Sequence, residues 1–276
     1  GTSLSSHEVA LGYKDDVPDP SVFVKFKVVK GSLAGSEVRA RLFNVFHSSD
    51  KPAYFLAWTT TPWTLPGNTA LTVAPDAEYA VIEVDGEYLI LASARLEPLG
   101  LSDKKVVERV QGSDLVGGGG KEAIEYEPLF NPHEFGVERK RFQMVYNLGE
   151  IRKELQVQEA PKPPLRLTYK VIDTDFVSMA DGTGIVHIAP AYGEVDYKAG
   201  EDDGLDFVHS VDLQGKVIGT YPFAGKFVKT ADPLVIENLK ERNLLFRSET
   251  IHHTYPFCWR CGTPLLYYAK QSWYIR

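Results

Sequence analysis

Apolar residues along this chain fall into short runs of strand length more often than into helical spacing. Residues 22–29 (Val22-Phe23-Val24-Lys25-Phe26-Lys27-Val28-Val29) are β-branched and aromatic and alternate at first, which predicts a strand. Residues 54–58 are an apolar run leading into threonines. Residues 79–84 and 87–91 are two strand-like runs separated by Asp85-Gly86, a hairpin signal because both turn residues tolerate positive φ. Further strands are expected at 106–110, 142–145 and 184–189, and a short helix at 93–99. The four glycines at 117–120 lack the Lys-Ser/Thr of a phosphate loop and predict a flexible connection. Residues 131–168 are charged and carry Pro161, Pro163 and Pro164, which suggests an inserted arm with a helix at 150–155. Helices are expected at 194–199 and from Asp232-Pro233-Leu234 to Arg242, where Asp caps and Pro suits the first turn. The pattern gives an α+β fold with a β-barrel-like core and a few peripheral helices.

Composition narrows the class. With 43% hydrophobic and 24% charged residues, the 276-residue chain can build a sizeable core, and no run is long and apolar enough to span a membrane. The formal charge of −7 argues against a protein that grips nucleic acid mainly through phosphates. RNA contact would then be local, or shared with other domains. Basic clusters stand at Glu138-Arg139-Lys140-Arg141 and around Lys162, Arg166 and Lys170, where a solvated surface competes with an RNA contact. The chain starts at Gly1-Thr2-Ser3-Leu4 without Met and is expected to be a fragment of a larger protein. Two cysteines are too few for a disulfide scaffold of this length and fit a reducing, cytoplasmic compartment.

Chemistry concentrates in two stretches. In Trp58-Thr59-Thr60-Thr61-Pro62-Trp63-Thr64-Leu65-Pro66-Gly67-Asn68, a strand end would explain threonines alone, but two prolines stop the strand. The result is a shaped loop whose hydroxyls can donate and accept toward a sugar, a carbonyl or a water. In residues 181–196, His187 leaves an apolar strand just before Pro190 and a Gly-bearing turn, and Asp196 follows near the start of a helix. Asp196 is open to two readings: a first-turn acid favoured by the helix dipole, or a carboxylate for a cationic group. Cys258-Trp259-Arg260-Cys261 has the spacing of half a tetrahedral zinc site, with paired structural thiols as the competing reading.

These stretches, with His253-Thr254-Tyr255-Pro256-Phe257 before the cysteines and Ser272-Trp273 after them, together resemble the inserted editing (CP1) domain of isoleucyl-tRNA synthetases, over nearly the whole chain. Related valyl and leucyl enzymes typically have Arg where this chain has Thr61, so Thr-Thr-Thr-Pro-Trp-Thr favours the isoleucyl type. The 131–168 arm matches no pattern of the family, and Val195 replaces an acid common there. The resemblance implies a hydrolase that cleaves valine from mischarged tRNA(Ile) and excludes isoleucine, with the adenylate as a possible further substrate. It implies that Asp196 pairs with the substrate α-ammonium. Thr59, Thr60 and Thr61 would line the ester and ribose, Thr60 foremost for placing water or the carbonyl. His187 and Trp63 would shape the side-chain pocket, and Asn68 would support the loop or the adenosine. No nucleophile with its base is evident, so catalysis by positioning is expected, without a cofactor.

The resemblance also sets partners: the valine-bearing 3′ end of tRNA(Ile) and the catalytic Rossmann domain of the same chain, in a monomer with no membrane. Residues 252–276 form a zinc-knuckle-like return toward that domain. Cys261-Gly262-Thr263-Pro264-Leu265 resembles Gly1-Thr2-Ser3-Leu4, which suggests a second cysteine pair before Gly1 and zinc in the full-length enzyme. Aminoacylation itself would need His-x-Gly-His and Lys-Met-Ser-Lys-Ser signatures, and neither occurs. The competing function is a non-catalytic module for the tRNA acceptor end of this or a related synthetase, in which Arg139–Arg141 matter more than Thr60.

Overall fold

A computed structural model describes residues 3–33, 36–117, 122–147 and 150–270. The Gly1-Thr2 half of the proposed cysteine repeat, most of the glycine run and Ser272-Trp273 lie outside the described residues. In chain order the elements are α1 (Ser6–Ala10), β1 (Tyr13–Lys27), α2 (Glu37–His47), β2 (Ala53–Thr59), β3 (Ala70–Val73), β4 (Glu78–Val84), β5 (Glu87–Ala92) and β6 (Lys105–Gln111). They continue with α3 (Gly112–Leu115), β7 (Glu125–Tyr126), β8 (Arg139–Asn147), β9 (Glu150–Val157), β10 (Tyr169–Asp173), β11 (Ile185–Ile188), α4 (Glu194–Asp203), β12 (Asp206–Val208), α5 (Val228–Glu241) and β13 (Leu245–Pro256).

The strands form three sheets in an α+β arrangement with helices at the periphery. Their orders are β13-β1-β2-β5-β4-β6, β11-β3-β10-β7 and β12-β8-β9. The expected barrel is not closed: among the described residues β6 and β13 are free edges of the largest sheet. That sheet is buried on both faces. Val22, Val24 and Phe26 of β1 enter the main core, while Phe23 joins Leu56, Ile82 and Leu91 in a second cluster on the opposite side. Double burial explains why β2, β4 and β5 read as continuous apolar runs. The Asp85-Gly86 hairpin forms as expected, with Val84 opposite Glu87 and both turn residues at positive φ.

Three local expectations change. Residues 150–155 are not helical but lie in β9, paired along its length with β8. Ile151, Lys153, Leu155 and Val157 alternate with Arg152, Glu154 and Gln156, a period of two that suits a ladder. The stretch after Ser93 makes only a 3₁₀ turn at Ser93–Arg95. The last helix begins at Val228, four residues before Asp232, so Asp232 does not cap it.

Candidate active site

The site is built where the end of β2, the turn after it and β11 meet. Pro62 ends the strand, and Pro62–Gly67 close into a buried 3₁₀ turn. The turn gathers hydroxyls into a chain. Thr59 Oγ1 lies 3.2 Å from Thr61 Oγ1 and accepts the Thr61 N–H. Thr61 Oγ1 lies 3.2 Å from Thr64 Oγ1, which donates to the Thr61 carbonyl at 2.8 Å. Thr64 Oγ1 also lies 3.2 Å from His187 Nε2. With the Thr64 hydrogen directed at that carbonyl, His187 Nε2–H is the donor. Thr60, partly buried beside this chain, has no hydrogen-bond partner for its hydroxyl among the described residues. It is therefore free to meet a ligand.

His187 is buried at 7% exposure, and burial pushes its imidazole down to about 4. It is neutral at pH 7 and a weak base. Two residues on, the Ala189 N–H donates to Asp196 Oδ2 at 3.0 Å. Extended chain advances about 3.3 Å per residue, so the histidine and this amide stand about 7 Å apart. Asp196 is on the first turn of α4, and burial pushes its carboxyl up to about 6 against the lowering effect of the Ala189 N–H. Its surroundings thus disfavour charge until a cation arrives. Gly193 permits this approach: a Cβ there would lie 3.0 Å from the Asp196 carboxyl carbon.

Trp63 and Asn68 sit deeper. Trp63 is 4% exposed, packs edge-on against Tyr192 at 4.9 Å and belongs to the main core. Asn68 donates to the Ala70 carbonyl at 2.8 Å and accepts from Tyr126 Oη at 2.8 Å, so its amide braces the end of the turn. Gly67 lets Tyr192 close on the turn, since a Cβ there would meet that ring at 2.5 Å. The structure adds two residues to those chosen from the sequence. Thr64 links the threonines to His187, and Asp232, 2% exposed on α5, accepts the Trp63 N–H at 2.8 Å. Thr64 lies inside the threonine motif and could have been chosen. Asp232 looked like a helix cap and gave no signal of its long-range partner.

The cysteine pair lies apart, in a tight turn after β13. Cys258 N–H bonds the Thr263 carbonyl, Gly262 N–H bonds the Cys258 carbonyl, and Gly262 takes φ +69°. Thr263 lies 3.2 Å from Cys261 Sγ and its hydrogen bonds hold that thiol below its ordinary value, which suits a thiolate ligand. Among the described residues no third His, Cys, Asp or Glu joins the pair as a metal ligand. The basic cluster is largely committed to structure. Arg139 and Arg141 both hold the buried Asp206 at 2.6 Å, and Lys140 pairs with Glu138.

No protein-family model matches the chain. The isoleucine–tRNA ligase of Dehalococcoides mccartyi (strain CBDB1) is 56% identical over 276 residues, covering 100% of this chain and 25% of that protein. The chain therefore spans about a quarter of the length of such relatives. The crystal structure of GlLeuRS-CP1 superposes with a TM-score of 0.56 at 16% identity, covering 82% of this chain and 96% of that one. The editing domain of the Plasmodium falciparum cytosolic leucyl-tRNA synthetase superposes with a TM-score of 0.54 at 11% identity, covering 83% and 99%. A threonine turn and an acidic helix start on this fold, joined to whole-chain likeness to those ligases, make the chain a member of the isoleucyl-tRNA synthetase family, the part that folds as an editing domain.

Proposed function

We propose that this chain hydrolyses the ester of valine misattached to tRNA(Ile), within a synthetase whose other domains charge the tRNA. The observation that carries this reading is the continuous wall of Thr59, Thr61, Thr64 and His187, with the free Thr60 hydroxyl beside it and the Asp196 carboxyl held by the Ala189 N–H two residues past His187. A valyl ester presents an α-ammonium, a carbonyl and a ribose. Asp196 binds the ammonium, whose removal from water calls for a partner charge. Thr60 orients the carbonyl or the attacking water, and Thr59 and Thr61 hold its neighbours in place. His187, kept neutral, acts as a polar wall, and Trp63 stiffens the turn from inside the core. Asn68 acts from below by bracing the turn. The reaction proceeds by positioning and hydrogen bonding, with water as nucleophile and the ribose hydroxyl as leaving group. The valyl adenylate carries the same ammonium and carbonyl and is a second substrate class.

A second pocket is needed because one methylene in an apolar cavity is worth only about 1–3 kcal/mol, a figure for which isoleucyl-tRNA synthetases are themselves the standard illustration. The acceptor-module alternative loses its main support, since Arg139 and Arg141 are spent on Asp206. The chain's partners are then the 3′ end of tRNA(Ile) and the catalytic domain of its own polypeptide, in the cytoplasm. Cys258 and Cys261 would supply two of the four ligands of a zinc ion in the full-length synthetase. In the full-length synthetase, Asp196→Ala should lower valine release from Val-tRNA(Ile) by about 100-fold or more while isoleucylation is kept. Release at the wild-type rate in that variant would refute the role of Asp196.

A further inference from the structure

The turn that carries the threonines has an unusual start. The first N–H groups of a helical turn have no partner within it and need one from outside. Pro62 has no N–H, and the Thr64 N–H reaches the Thr61 carbonyl. Thr61 provides no side-chain cap. The Trp63 N–H is left, and it is met by Asp232 Oδ1 at 2.8 Å, from a helix 169 positions away in sequence. α5 packs directly on the turn, and Asp232 is almost fully buried there.

Asp232 sits in a charged cluster that joins three elements beneath the turn. Lys229, one helical turn earlier on α5, reaches Asp19 of β1 at 2.7 Å, and His253 of β13 reaches the same carboxylate at 2.9 Å. Burial and Asp19 raise the Asp232 carboxyl, to about 7, while Lys229 and the Trp63 N–H lower it. A buried acid is costly, and a core helix could place an apolar residue there more cheaply. Among the described residues its carboxyl accepts one hydrogen bond, from the segment that presents Thr61 and Thr64.

We propose that Asp232 is a positioning residue for ester hydrolysis: by holding the Trp63 N–H it fixes the Pro62–Gly67 turn, and with it the hydroxyl chain from Thr59 to His187. This rests on the editing reading above. Placement matters here because a shift of about 1 Å in a catalytic group can cost about 100-fold in rate.

The test uses the full-length synthetase with Val-tRNA(Ile), measuring kcat and KM for valine release, isoleucylation, and amide hydrogen exchange in residues 59–67. Asp232→Ala should lower kcat by about 10-fold or more with KM within about twofold, and speed exchange at 59–67. Asp232→Asn keeps an acceptor oxygen and should stay within about threefold of wild type. Asp232→Glu keeps the carboxyl but moves it by one methylene, and should lower kcat in a folded protein. That variant decides the matter if the alanine variant does not fold. Wild-type kcat in Asp232→Ala, or in folded Asp232→Glu, would overturn the proposal while leaving the editing reading intact. A wild-type enzyme releasing valine only at the spontaneous rate would overturn both.

Discussion

At the scale of single residues, the site is defined by side chains whose surroundings oppose their charged forms. Burial raises Asp196 to about 6 and Asp232 to about 7, and lowers His187 to about 4. A carboxyl whose folded pKa is raised binds its proton more tightly folded than unfolded. Its stabilising effect is full below the unfolded value of about 4 and is lost as pH rises through the folded value. For Asp196 that window is roughly pH 4 to 6. His187 acts in the opposite sense, costing stability as pH falls from about 6.5 toward 4. At pH 8 the ionised Asp196 is therefore a burden on the fold. Asp196→Asn should raise the melting temperature by about 2 °C or more at pH 8, with the gain fading by pH 4. A calorimetric series across that range checks it, and a gain that grew toward acid pH would contradict the assignment. Sites that trade stability for function are expected to look this way.

At the scale of elements, the threonine wall depends on how β2 ends. The Thr-Thr-Thr-Pro-Trp-Thr text announced a shaped loop, and the structure forms one because Pro62 stops the strand and Trp63 buries its ring. His187 and Asp196 were legible as a strand residue and a first-turn acid, and both occupy those positions. What the sequence could not show was the tie between them, the Ala189 N–H, which depends on how β11 enters α4. Several short or polar elements were missed, and three of them show why. β13 includes Thr250-Ile251-His252-His253-Thr254-Tyr255, largely polar as suits an edge strand whose sheet partner among the described residues is β1. α2 hides its core stripe, Leu42 and Phe46, among charges, and includes a fully buried Arg39. The helix expected at 150–155 has good helix formers, but its pairing with β8 overrides that preference. Gly67 is the turn's sensitive point. Gly67→Ala would push a methyl into Tyr192 and the Val208 carbonyl. It should reduce valine release about 10-fold or more through displacement of the turn. Wild-type turnover in that variant would show that the turn tolerates movement.

At the scale of the whole molecule, three open sheets and a two-faced core frame the threonine wall, while the net charge of −7 leaves little general attraction for RNA. The fold class was legible from apolar runs. The openness of the barrel was not, because closure depends on which strands become edges. If the threonine wall and Asp196 bind a valyl ester as proposed, the chain should sort amino acids by size. Hydrolysis of Val-tRNA(Ile) and Ile-tRNA(Ile), followed side by side with the full-length synthetase, measures that sorting. Valine release should be at least about 100-fold faster than isoleucine release, because a cavity fitted to valine would resist one added methylene. Equal rates for the two esters, or neither exceeding the rate without enzyme, would contradict it.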